Sequence, residues 1–245
     1  MPEKGEVLLE VKDMCKNFGV TVALDHVSIT VKRGEVRGLI GENGSGKSTV
    51  SSIIAGIQPA TSGEMIYKEK PWKPSSALEA THNGIAMIVQ EAGTISGISV
   101  AENIFIGNYD KFKFGPIINR VKMNAEAKKA LAAVGISDIN PALPTRMLDM
   151  QERKLVEIAQ AMYSEPEVLI VDETTTVLSQ TGRDILYKIM HKTAEEGKAV
   201  MFISHDLDEL MEHCDTLTIL RDGVIIDNIE KKDYEPGDIK RKMVG

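Results

Sequence analysis

The sequence predicts an α/β fold in which a mostly parallel sheet is preceded by an antiparallel β subdomain and interrupted by a helical subdomain. Three observations carry this expectation. Residues 36–40, 85–89, 168–171 and 199–203 are short apolar runs of the kind that form strands covered on both faces. Residues 7–12 and 27–32 are rich in β-branched residues with partial alternation, which suits antiparallel strands. From 92 to 163 the texture turns helical: Ser99 and Glu102 match a capping box, residues 124–134 are rich in alanine and lysine before Gly135, and Leu155, Ile158, Ala159 and Met162 share one helical face. The expected organisation is one domain over residues 1–245, with a core from 1–91 and 164–245 and the helical subdomain from 92–163.

Composition narrows the class. A chain of 245 residues with 42% hydrophobic residues can bury a sizeable core. Its formal charge of −7 offers no electrostatic footprint for nucleic acid. No apolar stretch approaches the roughly 18 residues of a membrane span, and no charged-then-apolar leader follows Met1, so a soluble, cytosolic chain is expected. Cys15 and Cys214 lack a metal-binding spacing and are expected to be small buried hydrophobes in a reducing compartment.

The remaining elements follow in order. Lys16-Asn17-Phe18-Gly19 separates the first two strands, and Phe18 is a candidate either for stacking on a base or for the core. A helix ends near Gly56, a turn cluster occupies 59–63, and a strand follows at 64–67. Residues 70–74, with Trp72, are expected as a surface loop, and 76–83 as a short helix stopped by Gly84. Later come an amphipathic helix at 181–196 with Ile185, Leu186, Ile189 and Met190 inward, a hairpin of 216–220 with 224–229 around Asp222-Gly223, and a charged tail from 231 to 245.

Between the strand at 36–40 and the next helix lies Gly41-Glu42-Asn43-Gly44-Ser45-Gly46-Lys47-Ser48-Thr49, in which Gly41, Gly46, Lys47 and Ser48 fit GxxxxGK[ST], the P-loop. Backbone N–H groups of such a loop wrap nucleotide phosphates, the lysine reaches the β and γ phosphates, and the Ser48 hydroxyl is the expected Mg²⁺ ligand. Glycines let the backbone approach the anion and adopt positive φ, and the helix N-terminus adds partial positive charge. Downstream, the run 168–171 closes on Asp172-Glu173, the Walker B arrangement. Asp172 is positioned to hold Mg²⁺ and Glu173 to polarise the attacking water. Gln90, after the strand at 85–89, is a candidate ligand because open α/β sheets place their sites at strand C-termini. Ser204-His205-Asp206 are consecutive and so cannot form a nucleophile triad with one another; His205 is either structural or a contact to the γ phosphate. His26, His82, His191 and His213 carry no functional expectation.

This set of P-loop, Gln90, helical insertion, Asp172-Glu173 and His205 resembles the ATP-binding cassette (ABC) ATPases over essentially the whole chain. Phe18-Gly19 before Ala23-Leu24-Asp25, Gly41-Glu42-Asn43-Gly44, Gln90-Glu91, residues 99–105, Val156-Glu157-Ile158-Ala159 and Met243-Val244-Gly245 are similar to the first ATPase half of bacterial monosaccharide importers of the ribose/galactose type. The resemblance implies a P-loop NTPase core with ATP and Mg²⁺ as cofactors. It implies that Phe18 stacks on adenine, that Gly41, Asn43, Gly44, Ser45, Gly46, Lys47, Ser48, Thr49 and Asp172 bind the nucleotide, and that Ser48, Gln90 and Asp172 serve the metal. Gln90 also senses the permease, Glu173 is the catalytic base and His205 contacts the γ phosphate. The implied partners are a second ABC ATPase domain with an intact signature, tandem-fused, a membrane permease and, indirectly, an extracytoplasmic solute-binding protein. The implied location is the cytoplasmic face of the membrane.

One departure changes the expected mechanism. Where the family carries an LSGGQ-like signature, this chain has Leu148-Asp149-Met150-Gln151-Glu152. A carboxylate facing the opposite γ phosphate repels it and a bulky residue blocks approach, so this signature is expected to work poorly, leaving one competent ATP site per asymmetric dimer. Thr174-Thr175-Thr176-Val177-Leu178-Ser179 also departs from the family's Pro-Thr-Ser-Ala-Leu pattern. The solute stays open among pentoses, hexoses, inositol, nucleosides and autoinducers. A regulatory ATP-binding module is the alternative, and the ending at Met243-Val244-Gly245 suggests one half of a tandem protein.

Overall fold

The computed structural model describes residues 5–90 and 93–245. Glu91 and Ala92, where the expected boundary of the helical subdomain falls, lie outside the described residues. β1 (Val7–Phe18) and β2 (Thr21–Lys32) form one long antiparallel hairpin, about twice the expected strand length. Register shifts along it, with Asp13 at φ 46° and His26 at φ 50°, break the alternation from which strands are read. β3 (Val36–Ile40) leads through the glycine-rich loop into α1 (Lys47–Ile54). β4 (Ser62–Tyr67) and the two-residue β5 (Lys70–Pro71) complete a sheet ordered β2-β1-β4-β5. The loop expected around Trp72 is anchored instead of loose: the indole N–H donates to the Ile54 carbonyl and the ring meets Tyr67 edge-on.

α2 (Ala77–His82), capped by Ser76, precedes β6 (Ile85–Ile88). α3 (Val100–Ile104) begins on the Ser99/Glu102 capping box, with both reciprocal hydrogen bonds present. β7 (Lys113–Phe114) and β8 (Ile117–Ile118) form a minimal hairpin too short to leave a periodicity. α4 (Arg120–Ala133) and α5 (Met150–Tyr163) complete the helical segment. The core resumes with β9 (Val168–Asp172), α6 (Gln180–Glu195), β10 (Ala199–Ile203), α7 (Leu207–His213), β11 (Thr216–Arg221) and β12 (Val224–Glu230).

The charged tail is a helix, α8 (Pro236–Val244). Its inward side is one fully buried residue, Ile239, with Met243 packed against the same core. Its basic triplet Lys240-Arg241-Lys242 pairs in part with acids, Lys242 with Asp227 and Asp238 and Arg241 with Asp238. Charge dominates the composition, so the apolar stripe is too thin to read from periodicity.

The second sheet has six strands in the order β12-β11-β3-β10-β9-β6, all parallel except β12. Along β10, Val200 and Phe202 join the core shared with α5, α6 and α7, whereas Ala199, Met201 and Ile203 join the core shared with α1 and the antiparallel sheet. Every residue of β3, β9 and β10 is buried. That two-sided burial is why these strands read as unbroken apolar runs, at about 1.5–3 kcal/mol per large side chain. Cys214 is fully buried as expected; Cys15 is only partly buried, because its bulged stretch of β1 reaches the surface.

Candidate active site

Parallel strands deliver their C-terminal ends to one edge of a sheet, and the loops leaving β3, β6, β9 and β10 meet there around a cleft of about 940 Å³. Gly41, Asn43, Gly44, Gly46, Lys47, Ser48 and Thr49 line it together with Gln90, Glu173 and His205, residues that are far apart in sequence. Ala23, Glu42, Thr176 and Met243 line it as well. Asp172 and Ser45 sit behind that lining, 2% and 4% exposed, and Ser45 Oγ has no hydrogen-bond partner among the described residues. Phe18 is not part of the lining: it stands half-exposed at the tip of the β1–β2 hairpin with the Lys16 ammonium 4.9 Å from its ring.

The glycines of the loop answer to two different demands. Gly44 (φ +84°) has open space where a side chain would start, so only its backbone angle requires glycine. At Gly41 a Cβ would collide with the Leu220 carbonyl, and at Gly46 (φ +107°) it would stand 2.7 Å from the Ala23 carbonyl oxygen. The loop is thus pressed against β2 and β11, and its shape is held from outside. α1 carries no acidic residue in its first turn, so the positive end of the helix faces the cleft uncompensated.

Lys47 is buried and folds back over the loop, donating to the carbonyls of Gly41 at 2.8 Å and Glu42 at 3.0 Å, with Glu173 Oε1 at 3.8 Å. Ser48 and Ser51 both donate hydroxyls to Asp172, at 3.4 and 3.2 Å. Burial pushes the Asp172 carboxyl above its ordinary value, against the pull of those two hydrogen bonds. A buried carboxylate beside a hydroxyl at the foot of a phosphate cradle is a hard-oxygen donor set that suits Mg²⁺, and a cation there would favour the charged form.

Glu173 begins the turn after β9 at φ 41°, a left-handed conformation that costs a non-glycine residue on the order of 1–3 kcal/mol. Its N–H donates to the Ile203 carbonyl, and its carboxylate accepts from the Gln90 amide at 2.8 Å. His205 is exposed in the cleft, while Ser204 beneath it is buried. Glu209 on α7 accepts from Ser204 Oγ at 2.6 Å, from Thr175 Oγ1 at 3.2 Å and from the Tyr187 hydroxyl, tying the turn after β9 to the turn after β10. Sequence reasoning missed Ser51, Glu209 and Met243; only Met243 left a signal, in the phrase Met243-Val244-Gly245.

At the start of α5, Asp149 is the N-cap, accepting from Glu152 N–H at 2.8 Å, and Glu152 accepts in return from Asp149 N–H at 3.0 Å. Gln151 Oε1 accepts from Ser179 N–H at 2.9 Å, and none of residues 148–152 lines the cleft.

A phosphate-cradling loop between β3 and α1, with an acid pair ending β9 and a polar side chain after β6, defines a P-loop nucleoside triphosphatase built as a cassette. The chain belongs to the ABC transporter ATPases: the family model described as ABC transporter matches residues 24–176. It is 35% identical over 240 residues, 98% of its length, to the ribose import ATP-binding protein RbsA of Rhodopirellula baltica. It is 38% identical over its full length to a putative ribose/galactose/methyl galactoside import ATP-binding protein of Ralstonia nicotianae. The chain spans about half the length of these relatives, 47% of each. Among solved structures it superposes on a nucleotide-free ATP-binding cassette from an ABC transporter with a TM-score of 0.81 and 25% identity, covering 98% of this chain and 99% of that one. On cbiO1 from Clostridium perfringens, part of the cbiONQ ABC transporter complex, the TM-score is 0.76 and the identity 27%, covering 97% and 94%. Among the described residues no helix is long and apolar enough to cross a membrane.

Proposed function

We propose that this chain is the ATP-binding and ATP-hydrolysing unit that powers import of a small solute, a monosaccharide, through a membrane permease, working from the cytoplasmic face. Import and sugar are drawn from the names of the relatives. Hydrolysis rests on one observation above all: the Glu173 carboxylate stands in the cleft with the Gln90 amide at 2.8 Å and the Lys47 ammonium at 3.8 Å, where a γ phosphate, its metal and its water would meet. Lys47 and the loop N–H groups bind the phosphates. Ser48, Gln90 and Asp172 would hold Mg²⁺, which would screen the phosphate charge. Glu173 takes a proton from the attacking water, His205 contacts the γ phosphate, and Phe18 covers the adenine from the hairpin that also supplies Ala23.

The second ATPase domain, tandem-fused as the length of the relatives suggests, supplies an intact signature over this chain's P-loop. Asp149 and Glu152 belong to the stretch that stands in for the family signature, so their carboxylates would repel the partner's phosphate and leave one site of the pair to hydrolyse. The chain forms a single cassette, with residues 1–91 and 164–245 as its core and 92–163 as the helical subdomain. Glu173→Gln should keep MgATP affinity and lower turnover by roughly 10²–10⁴-fold; loss of MgATP binding would show that Glu173 is not the base. The chain by itself should bind ATP and turn it over slowly, and rapid hydrolysis by the purified chain would refute the composite site.

A further inference from the structure

β6 is the edge strand of the six-stranded sheet, and its ladder with β9 stops at Ile88. The next peptide leaves the sheet, so its backbone groups need other partners. The Val89 N–H donates to Glu157 Oε1 at 2.7 Å, and the Val89 carbonyl accepts from Lys154 Nζ at 2.6 Å. On the far side of Gln90, the Gly93 N–H donates to Glu157 Oε2 at 3.2 Å. Lys154 and Glu157 lie one turn apart on α5 and pair with each other at 2.8 Å, their side chains 1% and 6% exposed. A Cβ at position 93 would stand 3.0 Å from both Cδ and Oε1 of Glu157. The closeness of Glu157 leaves little room for a side chain at this position.

A buried ion pair contributes little more stability than an apolar pair of the same volume. What it adds is direction: this pair holds Val89, immediately before Gln90, and Gly93, three positions after it, and the Gln90 amide then meets Glu173. The same helix begins at Asp149, in the altered signature.

We infer that Lys154 and Glu157 are positioning residues for hydrolysis: by fixing Val89 and Gly93, the buried pair sets the Gln90 amide against Glu173. The inference rests on the roles proposed above for Gln90 and Glu173. Neither residue of the pair lines the cleft, so both act through Gln90.

The test uses the full-length protein with its permease, purified from native membranes, and saturating MgATP. Gly93→Ala presses on Glu157 without removing a charge. It should lower kcat roughly 10- to 100-fold while KM and ATP binding change by less than about twofold. Gln90→Ala should lower kcat as well, and adding Gly93→Ala to it should produce no further loss, because the pair works only through the amide it positions. Should Gly93→Ala fail to fold, Lys154→Met with Glu157→Gln removes both charges together and carries the same expectation against Gln90→Ala. If Gln90→Ala leaves kcat unchanged, the functional reading falls and this inference with it. If Gln90→Ala lowers kcat while the Gly93 or paired variants do not, or if their losses multiply, the pair is structural only and the inference is overturned.

Discussion

Ser51 donates its hydroxyl to the Asp172 carboxylate at 3.2 Å, across 121 positions of sequence and beneath the phosphate loop. Ser48 donates to the other oxygen of the same carboxylate, so α1 presents two hydroxyls, one turn apart, to one buried acid. Ser51→Ala should therefore weaken the apo protein by about 1–3 kcal/mol, the penalty of an under-satisfied buried carboxylate. On the role proposed for Asp172, Mg²⁺ bound with ATP would give it a new partner, so chemical unfolding should show the difference from the parent narrowing in MgATP but not in ATP with chelator.

Gly41→Ala drives a methyl into the Leu220 carbonyl. Because the loop is wedged between β2 and β11, the backbone cannot retreat without opening the cradle. Loss of about 1–3 kcal/mol in stability is expected, together with loss of ATP binding by calorimetry. Gly44→Ala meets no neighbour, so its effect should be limited to the strain of its positive φ.

Met243 reaches the cleft from α8, whose last turn is held where Arg221 Nη1 donates to the Lys242 carbonyl at 3.1 Å. Met243→Ala should weaken ATP binding by about 1 kcal/mol, roughly fivefold in Kd, and Met243→Leu should restore most of it. An unchanged affinity in the alanine variant would mean that nucleotide does not touch α8.

Arg33 donates to Glu167 at 2.8 Å and holds its carboxyl below the ordinary value, with Lys68 adding to the effect. A depressed folded-state pKa gives stability that is present above the unfolded value and lost as pH falls through the folded one. Glu167 is about one-third exposed (33%), so solvent limits the pair to about 0.5–1 kcal/mol. The stability gap between the parent and Arg33→Met should hold near neutral pH and shrink as pH drops from about 5 towards about 3.

Legibility in the sequence followed the range over which each signal acts. The strands β3, β9 and β10 are visible because burial on both faces leaves unbroken apolar runs. The loop from Gly41 to Thr49 is visible because its spacing reflects a local turn into a helix. Gln90, Glu173 and His205 could be placed because each follows a strand, and parallel strands bring such ends together. The bulges at Asp13 and His26 erased the period of the first hairpin, and the charges of α8 hid its single buried residue, Ile239. Ser51, Glu209 and the Lys154–Glu157 pair stayed unread because their partners are distant in sequence and nothing local marks a helical serine, acid or lysine as buried and paired.

The reciprocal cap of Asp149 and Glu152 at the head of α5 separates the fold of that helix from its charge. Serine caps a helix about as well as aspartate, and glutamine at the third helical position closes the box as glutamate does, so α5 does not depend on either charge. Asp149→Ser leaves the Glu152 carboxylate and the Gln151 side chain in place, and Glu152→Gln alone leaves Asp149. Either single change keeps a good helix start, so each removes one negative charge from the head of α5 at little cost in folding. The helix start tolerates either chemistry, so the charge that α5 shows to the proposed partner domain can change without a change of fold.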